Sequence, residues 1–408
     1  MSEPTERDAS DALKAAPPIV LAAGPRELPA QAPPQPDETW ELPGGIAWVY
    51  HGEGNQGIVR PVLMADGFNT GPSTLEFLWA GLENGGYPLI TELRRRGRDV
   101  ILLGFAERSA SILDNAEAAI AAIMRTIAEQ MGDSRLTVGG FSMGGLVTRY
   151  ALASMEYQRM DHRTAVYFSY DSPHNGAHIP LSLQAFAHYI RKLDPRFSDQ
   201  MNSPAARQLL WRHIENWSDK PSVSPLRTQF LDELERVGTW PQIPLKLALA
   251  NGVATGSGNG IKPGTTAVKG KGLGIIGTDL RTTPTGADTL SATLRVVTPQ
   301  KNEARVEGLP DIDGAPGGTL ESFEILADAL NKVLGLGVAN PIAEHCFVPA
   351  VSAIAARGLD THDDLYTNID ALDPEQAEVD EFVCASHNER HTQVTQELCT
   401  WLLDRLPD

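Results

Sequence analysis

The sequence predicts an α/β protein with a mostly parallel sheet covered by helices on both faces. From residue 38 onward, short β-branched and aliphatic runs alternate with segments of helical periodicity. A long Ala-rich amphipathic segment separates two of the apolar runs. A serine framed by glycines stands where a strand-type run gives way to a helix-type one, in "RLTVGGFSMGGLVTRYAL" (135–152). The chain of 408 residues, 42% of them hydrophobic, is long enough to fill a sizeable core.

Taken in order, residues 1–37 are rich in Ala, Pro and charge without periodicity and read as a disordered tail. Residues 38–408 read as the folded domain. "GIAWVYHG" (45–52), "IVRPVLMADGF" (58–68) and "DVILLGF" (99–105) are strand-like, and "DNAEAAIAAIMRTIAEQMG" (114–132) is a helix closed by Gly132. The serine-bearing stretch supplies the next strand and helix. "AVYFSYDSPH" (165–174), "LKLALANG" (245–252) and "EFVCASH" (381–387) continue the strand series, and a last helix covers about 392–405.

Two stretches break that rhythm. Residues 177–240 hold several helical segments whose aromatics, Phe186, Tyr189, Trp211, Trp217 and Phe230, read as exposed, so this insertion is expected to form a cap. Residues 253–316 are Gly/Thr-rich with alternating runs that predict a small β-hairpin insertion.

Gly140-Phe141-Ser142-Met143-Gly144 fits G-x-S-x-G. A serine at the tip of a tight strand-to-helix turn has strained backbone angles, and flanking glycines let strand and helix approach closely. Such a turn exposes the hydroxyl and sets it at the positive end of a helix, where backbone N–H groups can stabilise an oxyanion.

At these residues the chain resembles the α/β-hydrolase superfamily, in its lipase and esterase branch. The resemblance implies an eight-stranded, mostly parallel sheet, with Ser142 as nucleophile, an acid after it and a His following the last strand. "VLMADGFNTG" resembles the lipase strand that ends in "HG", with Asp66 in the place of the usual His. By that likeness Phe68 and Met143 supply the two N–H donors of the oxyanion hole. "YDSPHNGAHIP" (170–180) is similar to "TPHxG", in which the histidine, here His174, is structural or lines the pocket. "CFVPAVSAIA" (346–355) resembles "DGxVPxxSA".

A serine needs a base within hydrogen-bond reach. The loop after the last strand, "ASHNERHTQVTQEL", offers His387 and His391; His391, just ahead of the closing helix, is preferred. The acid is less plainly marked. Aligning "EHCFVP" on the family pattern puts His345 where the Asp belongs, with Glu344 one residue away. Asp171 directly follows the strand "AVYFSY", a strand end from which some lipases take their acid, although it also reads as a turn-forming residue before Ser172-Pro173. Asp171 is therefore placed first and Glu344 second, with Asp363 and Asp364 as lesser candidates.

Composition narrows the alternatives. A net charge of −18 disfavours nucleic acid and anionic membranes. No apolar run of about 18 residues occurs, and the acidic start lacks a signal-peptide pattern, so stable membrane insertion is not expected and a cytoplasmic address is the default. Cys346, Cys384 and Cys399 allow at most one disulfide and read as small core residues. His362 beside Asp363 and Asp364 is the nearest approach to a metal motif, but no cluster has zinc spacing; no metal or other cofactor is implied. The expected function is hydrolysis of a hydrophobic small-molecule ester through an acyl-enzyme. An acyltransferase or thioesterase is the alternative, and a catalytically inactive binding module of the same fold is a third reading.

Overall fold

The computed structural model describes residues 5–29, 31–357 and 362–407, without the side chains of residues 362, 363 and 374. Its strands along the chain are β1 (Glu38–Leu42), β2 (Gly45–Tyr50), β3 (Pro61–Ala65), β4 (Asp99–Phe105), β5 (Leu136–Phe141), β6 (Thr164–Tyr170), β7 (Leu245–Ala250), β8 (Thr266–Gly270), β9 (Asp279–Arg281), β10 (Thr289–Leu294), β11 (Asn302–Val306), β12 (Gly317–Leu320), β13 (Val338–Ala339), β14 (His345–Pro349) and β15 (Glu381–Cys384). Among the described residues the main sheet has eight strands in the order β1-β2-β4-β3-β5-β6-β7-β15. β1 and β2 form an antiparallel hairpin at one edge, β2 runs antiparallel to β4, and every pairing from β4 to β15 is parallel.

Every residue of β3, β4 and β5 is buried, as a parallel sheet covered on both faces requires. Alternate side chains serve opposite faces. Ile101 and Leu103 pack with Ala116, Ala119, Leu146 and Val147 of the helices Ile112–Glu129 and Met143–Tyr157. Val100 and Leu102 pack on the other side with Leu78, Leu89 and Leu398, from the helices Leu75–Glu83, Leu89–Arg95 and Gln396–Leu403. Burying such side chains stabilises the fold by about 1.5–3 kcal/mol each, which makes this central sheet the rigid frame of the molecule.

The insertion after β6 holds the helices Leu181–Tyr189, Arg196–Met201, Pro204–Leu209 and Pro225–Arg236. Phe186 and Phe230, expected to be exposed, are almost fully buried, because these helices bring core partners of their own. The Gly/Thr-rich stretch builds more than a hairpin. β8 to β11 join β13 in a five-stranded antiparallel sheet, order β11-β10-β9-β8-β13, so a strand from beyond residue 316 completes it. β12 pairs antiparallel with β14 and carries the chain back beside the main sheet.

The N-terminal segment also departs from expectation. Residues 6–15 form a helix whose Thr5 and Asp8 make a reciprocal capping box, and Leu13, Ile19 and Leu21 are buried in the core of the insertions. Arg196 donates to the carbonyls of Leu13 and Ala16 at 2.7 and 3.1 Å, closing that helix's C-terminus. Local composition hides this order because the hydrogen-bond partners of Ser10, Leu13 and Leu21 lie 183, 183 and 179 residues away in sequence.

Candidate active site

β5 ends at Phe141, and the helix Met143–Tyr157 begins two residues later. Between them Ser142 has φ 52° and ψ −123°, a positive φ that non-glycine residues avoid. Only glycine fits around this turn. A Cβ on Gly140 would lie 2.4 Å from the Gly144 carbonyl carbon, and one on Gly144 would lie 2.3 Å from the Ala65 oxygen. Met143 opens the helix, so its N–H has no carbonyl within the helix to donate to and lies at the positive end of the dipole.

Ser142, Asp171 and His391 come together in a single hydrogen-bonded chain. His391 Nε2 lies 2.7 Å from Ser142 Oγ, and His391 Nδ1 lies 2.6 Å from Asp171 Oδ2. A carboxylate only accepts, so Nδ1 carries the proton and donates, leaving Nε2 to accept from the serine hydroxyl. Both the Asp171 and the His391 side chains are fully buried. Asp171 follows β6 with φ 49°, and its N–H donates to Leu249 O at 2.7 Å. Its Oδ1 accepts from Asn251 N–H at 3.0 Å, so each carboxylate oxygen is held. Gly318 of β12 lies against the same carboxylate: a Cβ there would stand 2.0 Å from Oδ2. The next residue, Thr319, accepts the backbone N–H of His391 at 2.7 Å. The ring of Phe347 packs edge-on against the imidazole, with centroids 4.8 Å apart. The β12–β14 pair therefore holds Asp171 and His391 in place together.

The loop after β3 passes directly beside the serine, since a Cβ on Gly67 would lie 3.3 Å from Ser142 Cβ. Asp66 pins that loop from below. Its Oδ1 accepts the Gly67 N–H at 2.7 Å, its Oδ2 accepts the Ser73 hydroxyl at 2.7 Å, and Arg108 Nη1 stands 3.6 Å away. Arg108 in turn donates to the carbonyls of Thr70 and Gly71 at 3.1 and 3.3 Å. Burial raises the Asp66 carboxyl above its ordinary range despite Arg108, Ser73 and Gly67, and burial lowers Arg108 from its own. Ser142, Phe68, Phe77, Leu78, Leu82 and Phe141 line a narrow cavity of about 60 Å³. Among the described residues, none lining it comes from 177–240, so the helical insertion does not roof the serine; Ala23, Gly24 and Pro25 do.

The other sequence candidates lie apart from this chain. Glu344 accepts from the Thr319 hydroxyl at 2.8 Å, while both ring nitrogens of His391 already face Ser142 and Asp171. Asp364 is half-buried in a short 3-10 turn, and the side chains of His362 and Asp363 lie outside the described residues. His387 is exposed in the turn after β15. His174 is buried between Ser169 Oγ at 2.9 Å and Arg149 at 3.2 Å, and burial, reinforced by Arg149, holds it well below its ordinary pKa. His345 bonds Ser322 Oγ at 2.8 Å, and burial lowers it to about 4. The three cysteines are free thiols; burial pushes Cys384 and Cys399 up to about 12, which makes them poor nucleophiles. Among the described residues no group of His, Cys, Asp or Glu could hold a metal ion, and no helix is long and apolar enough to cross a membrane. Reading by motif does not reach Gly318, Asn251, Thr319 or Arg108, because each acts through backbone position or a distant contact.

The strand order, the strained serine turn and the chain order Ser, Asp, His together give the protein an α/β-hydrolase fold. Among solved structures, a Bacillus licheniformis lipase in its mature form is similar over 50% of this chain and 71% of its own, at 14% identity and a TM-score of 0.34. An esterase of Pyrobaculum calidifontis is similar over 60% of this chain and 71% of its own, at 10% identity and a TM-score of 0.34. An α/β-hydrolase enzyme from the metagenome of Lake Arreo, Spain, is similar over 60% and 68%, at 15% identity and a TM-score of 0.33. No protein-family model matches the chain, and no curated protein is similar to it in sequence.

Proposed function

We propose that the protein is a serine hydrolase that cleaves carboxylic esters of hydrophobic small molecules. The observation that carries this reading is the unbroken chain Asp171–His391–Ser142, with contacts of 2.6 and 2.7 Å, ending at a strained serine that lines a cavity. In this mechanism His391 Nε2 takes the Ser142 proton as Oγ attacks the ester carbonyl carbon. The carbonyl oxygen becomes an oxyanion held by the N–H groups of Phe68 and Met143. Collapse of the tetrahedral species breaks the carbonyl–alkoxy bond, and His391 returns the proton to the departing alcohol. Water, deprotonated by the same imidazole, then attacks the acyl-enzyme and releases the acid. Asp171 keeps Nδ1 protonated and stabilises the imidazolium. The apolar lining, Phe68, Phe77, Leu78, Leu82 and Phe141, suits a hydrocarbon substituent.

A fluorophosphonate probe tests this reading. Mass spectrometry should find one adduct, on the peptide carrying Ser142, and p-nitrophenyl acetate hydrolysis should disappear in step with labelling. Labelling at another residue, or hydrolysis that survives complete labelling, would refute it. Competition between water and an added alcohol or thiol acceptor separates hydrolysis from acyl transfer.

A further inference from the structure

The roof of the serine cavity is a segment brought back from the start of the chain. Ala23, Gly24 and Pro25 line the 60 Å³ space at Ser142. The same three residues, with Ala22 and Arg26, also wall a second space of about 400 Å³ whose other side includes Glu321, His391 and Thr392. Ala23, Gly24 and Pro25 are thus shared by two neighbouring spaces, one on the serine and one on the histidine. Small-molecule sites usually run to about 300–1,000 Å³. With this segment in place the serine compartment falls well below that range; were it displaced, the two adjoining spaces would open to one another.

Its two ends are held by different physics. On one side Leu21 is buried, and its N–H donates to Gln200 Oε1 at 3.2 Å. On the other side Arg26 is half exposed and sits among three carboxylates, Glu321 at 2.8 Å, Glu324 at 3.1 Å and Asp328 at 3.3 Å. Between them, Gly24 with φ 122° lies so close to the Phe77 ring that a Cβ would stand 2.1 Å from Cζ. An apolar anchor does not respond to salt, whereas a solvent-facing ion cluster is screened by it. Glu321 also pairs with Arg390, the neighbour of His391, so the clamp is fastened to the segment that carries the base.

Resting on the esterase reading, we propose that Ala22–Pro25 is a substrate-size gate hinged at Leu21 and latched by Arg26. Latched, it confines Ser142 to esters of small acyl groups; released, it admits long hydrocarbon chains.

The test compares the full-length chain with its Arg26→Glu and Arg26→Lys variants on p-nitrophenyl acetate and p-nitrophenyl decanoate. Arg26→Glu sets like charges against the three carboxylates and should raise the decanoate-to-acetate ratio of kcat/KM by about tenfold or more, with acetate itself changing less than about threefold. Arg26→Lys should stay near wild type. In the wild type, salt raised from about 0.05 to 1 M should move the ratio the same way, and in Arg26→Glu it should not. Amide hydrogen exchange, which needs no turnover, should quicken at Ala22–Arg26 and at Gly67 and Phe68 in Arg26→Glu. An unchanged ratio overturns the gate, whether or not exchange quickens, and so does a parallel change for both esters. If no variant hydrolyses either ester, the esterase reading falls, and unchanged exchange would then show separately that Arg26 latches nothing.

Discussion

Among the described residues two histidine–carboxylate pairs have both side chains fully buried, and their surroundings differ. His391 meets Asp171 at 2.6 Å, and His178 meets Asp313 at 2.8 Å; all four side chains are essentially inaccessible. The difference lies at the far nitrogen. His391 turns its second nitrogen to a serine in a strained turn beside a cavity. His178 shares one nitrogen between Asp313 and Thr283 Oγ at 3.1 Å, and its Nδ1 is buried with no hydrogen-bond partner among the described residues. Burial pushes the Asp313 carboxyl up, but the bonds from His178 and Thr283 outweigh it and leave the group below its ordinary range. Asp313 also accepts the Cys346 N–H on its own carbonyl and the Thr283 N–H on its carboxylate, tying the antiparallel insertion to β14. A buried pair of this kind orients and fastens; chemistry needs the second nitrogen to face a nucleophile that a substrate can reach.

The sharpest way to break this contrast is to neutralise each acid in turn. Asp171→Asn should lower kcat for p-nitrophenyl acetate by up to about 10,000-fold, because the amide favours the wrong imidazole tautomer, with the circular dichroism spectrum unchanged. Asp313→Asn should leave kcat of the folded protein within about threefold yet cost about 3–5 kcal/mol of stability in urea titrations, since one partner of a buried pair is removed. If the two variants exchange these phenotypes, the assignment of roles is wrong. Gly318→Ala comes next. Its methyl group would fall 2.0 Å from Asp171 Oδ2, so the carboxylate must shift. A displacement of that order should lower kcat by about 100-fold while His178 and Asp313 keep their contact; normal turnover would exclude a positioning role for β12.

A milder probe addresses the loop beside the serine. Asp66→Asn weakens the anchor of Gly67 and the partnership with Arg108, and kcat should fall about tenfold with KM little changed, less than the loss expected for deleting an oxyanion donor outright. A rise in KM alone would mean that the loop binds substrate without aligning the donors. The smallest effect concerns stability. His188 and His345 are each lowered by burial from 6.5 to about 4, so between those values the unfolded chain binds protons that the folded one does not. The stability they contribute is complete above about pH 6.5 and is lost as pH falls toward 4, by about 1 kcal/mol or more for each group. Urea midpoints at neutral pH and near pH 5 check this, and a midpoint that holds steady or rises on acidification contradicts it.

What could be read from sequence divides along the same line. The serine turn is legible because its determinants are consecutive: a strand-type run, glycines that alone fit at 140 and 144, and an apolar helix face. The alternating α/β architecture is legible for a similar reason, since each buried strand carries its own apolar signature. The choice among Asp171, Glu344 and Asp364 is not settled by any local rule, because it depends on which strand end the histidine loop folds back upon. Gly318 carries no signal at all; its meaning is the absence of a Cβ beside the carboxylate of Asp171, far earlier in the chain. The order of the N-terminal segment is not legible locally because its composition is that of an unfolded chain, while that order comes from Gln200, Arg196 and a cluster of carboxylates far along the sequence.

His391 follows β15, the last strand of the main sheet in chain order, and it is held by the backbone of Thr319 and by Asp171, 220 residues upstream. During synthesis, then, Ser142 and Asp171 emerge long before His391. A ribosome-bound chain that ends at β7 contains Ser142 but lacks the histidine that the proposed mechanism assigns to activate it. Because domains generally begin to fold as they leave the ribosome, Ser142 would spend that interval without its proposed base. Under the proposed function, onset of ester cleavage would therefore mark the moment at which the chain closes on itself, so turnover would serve as a clock for the final step of folding.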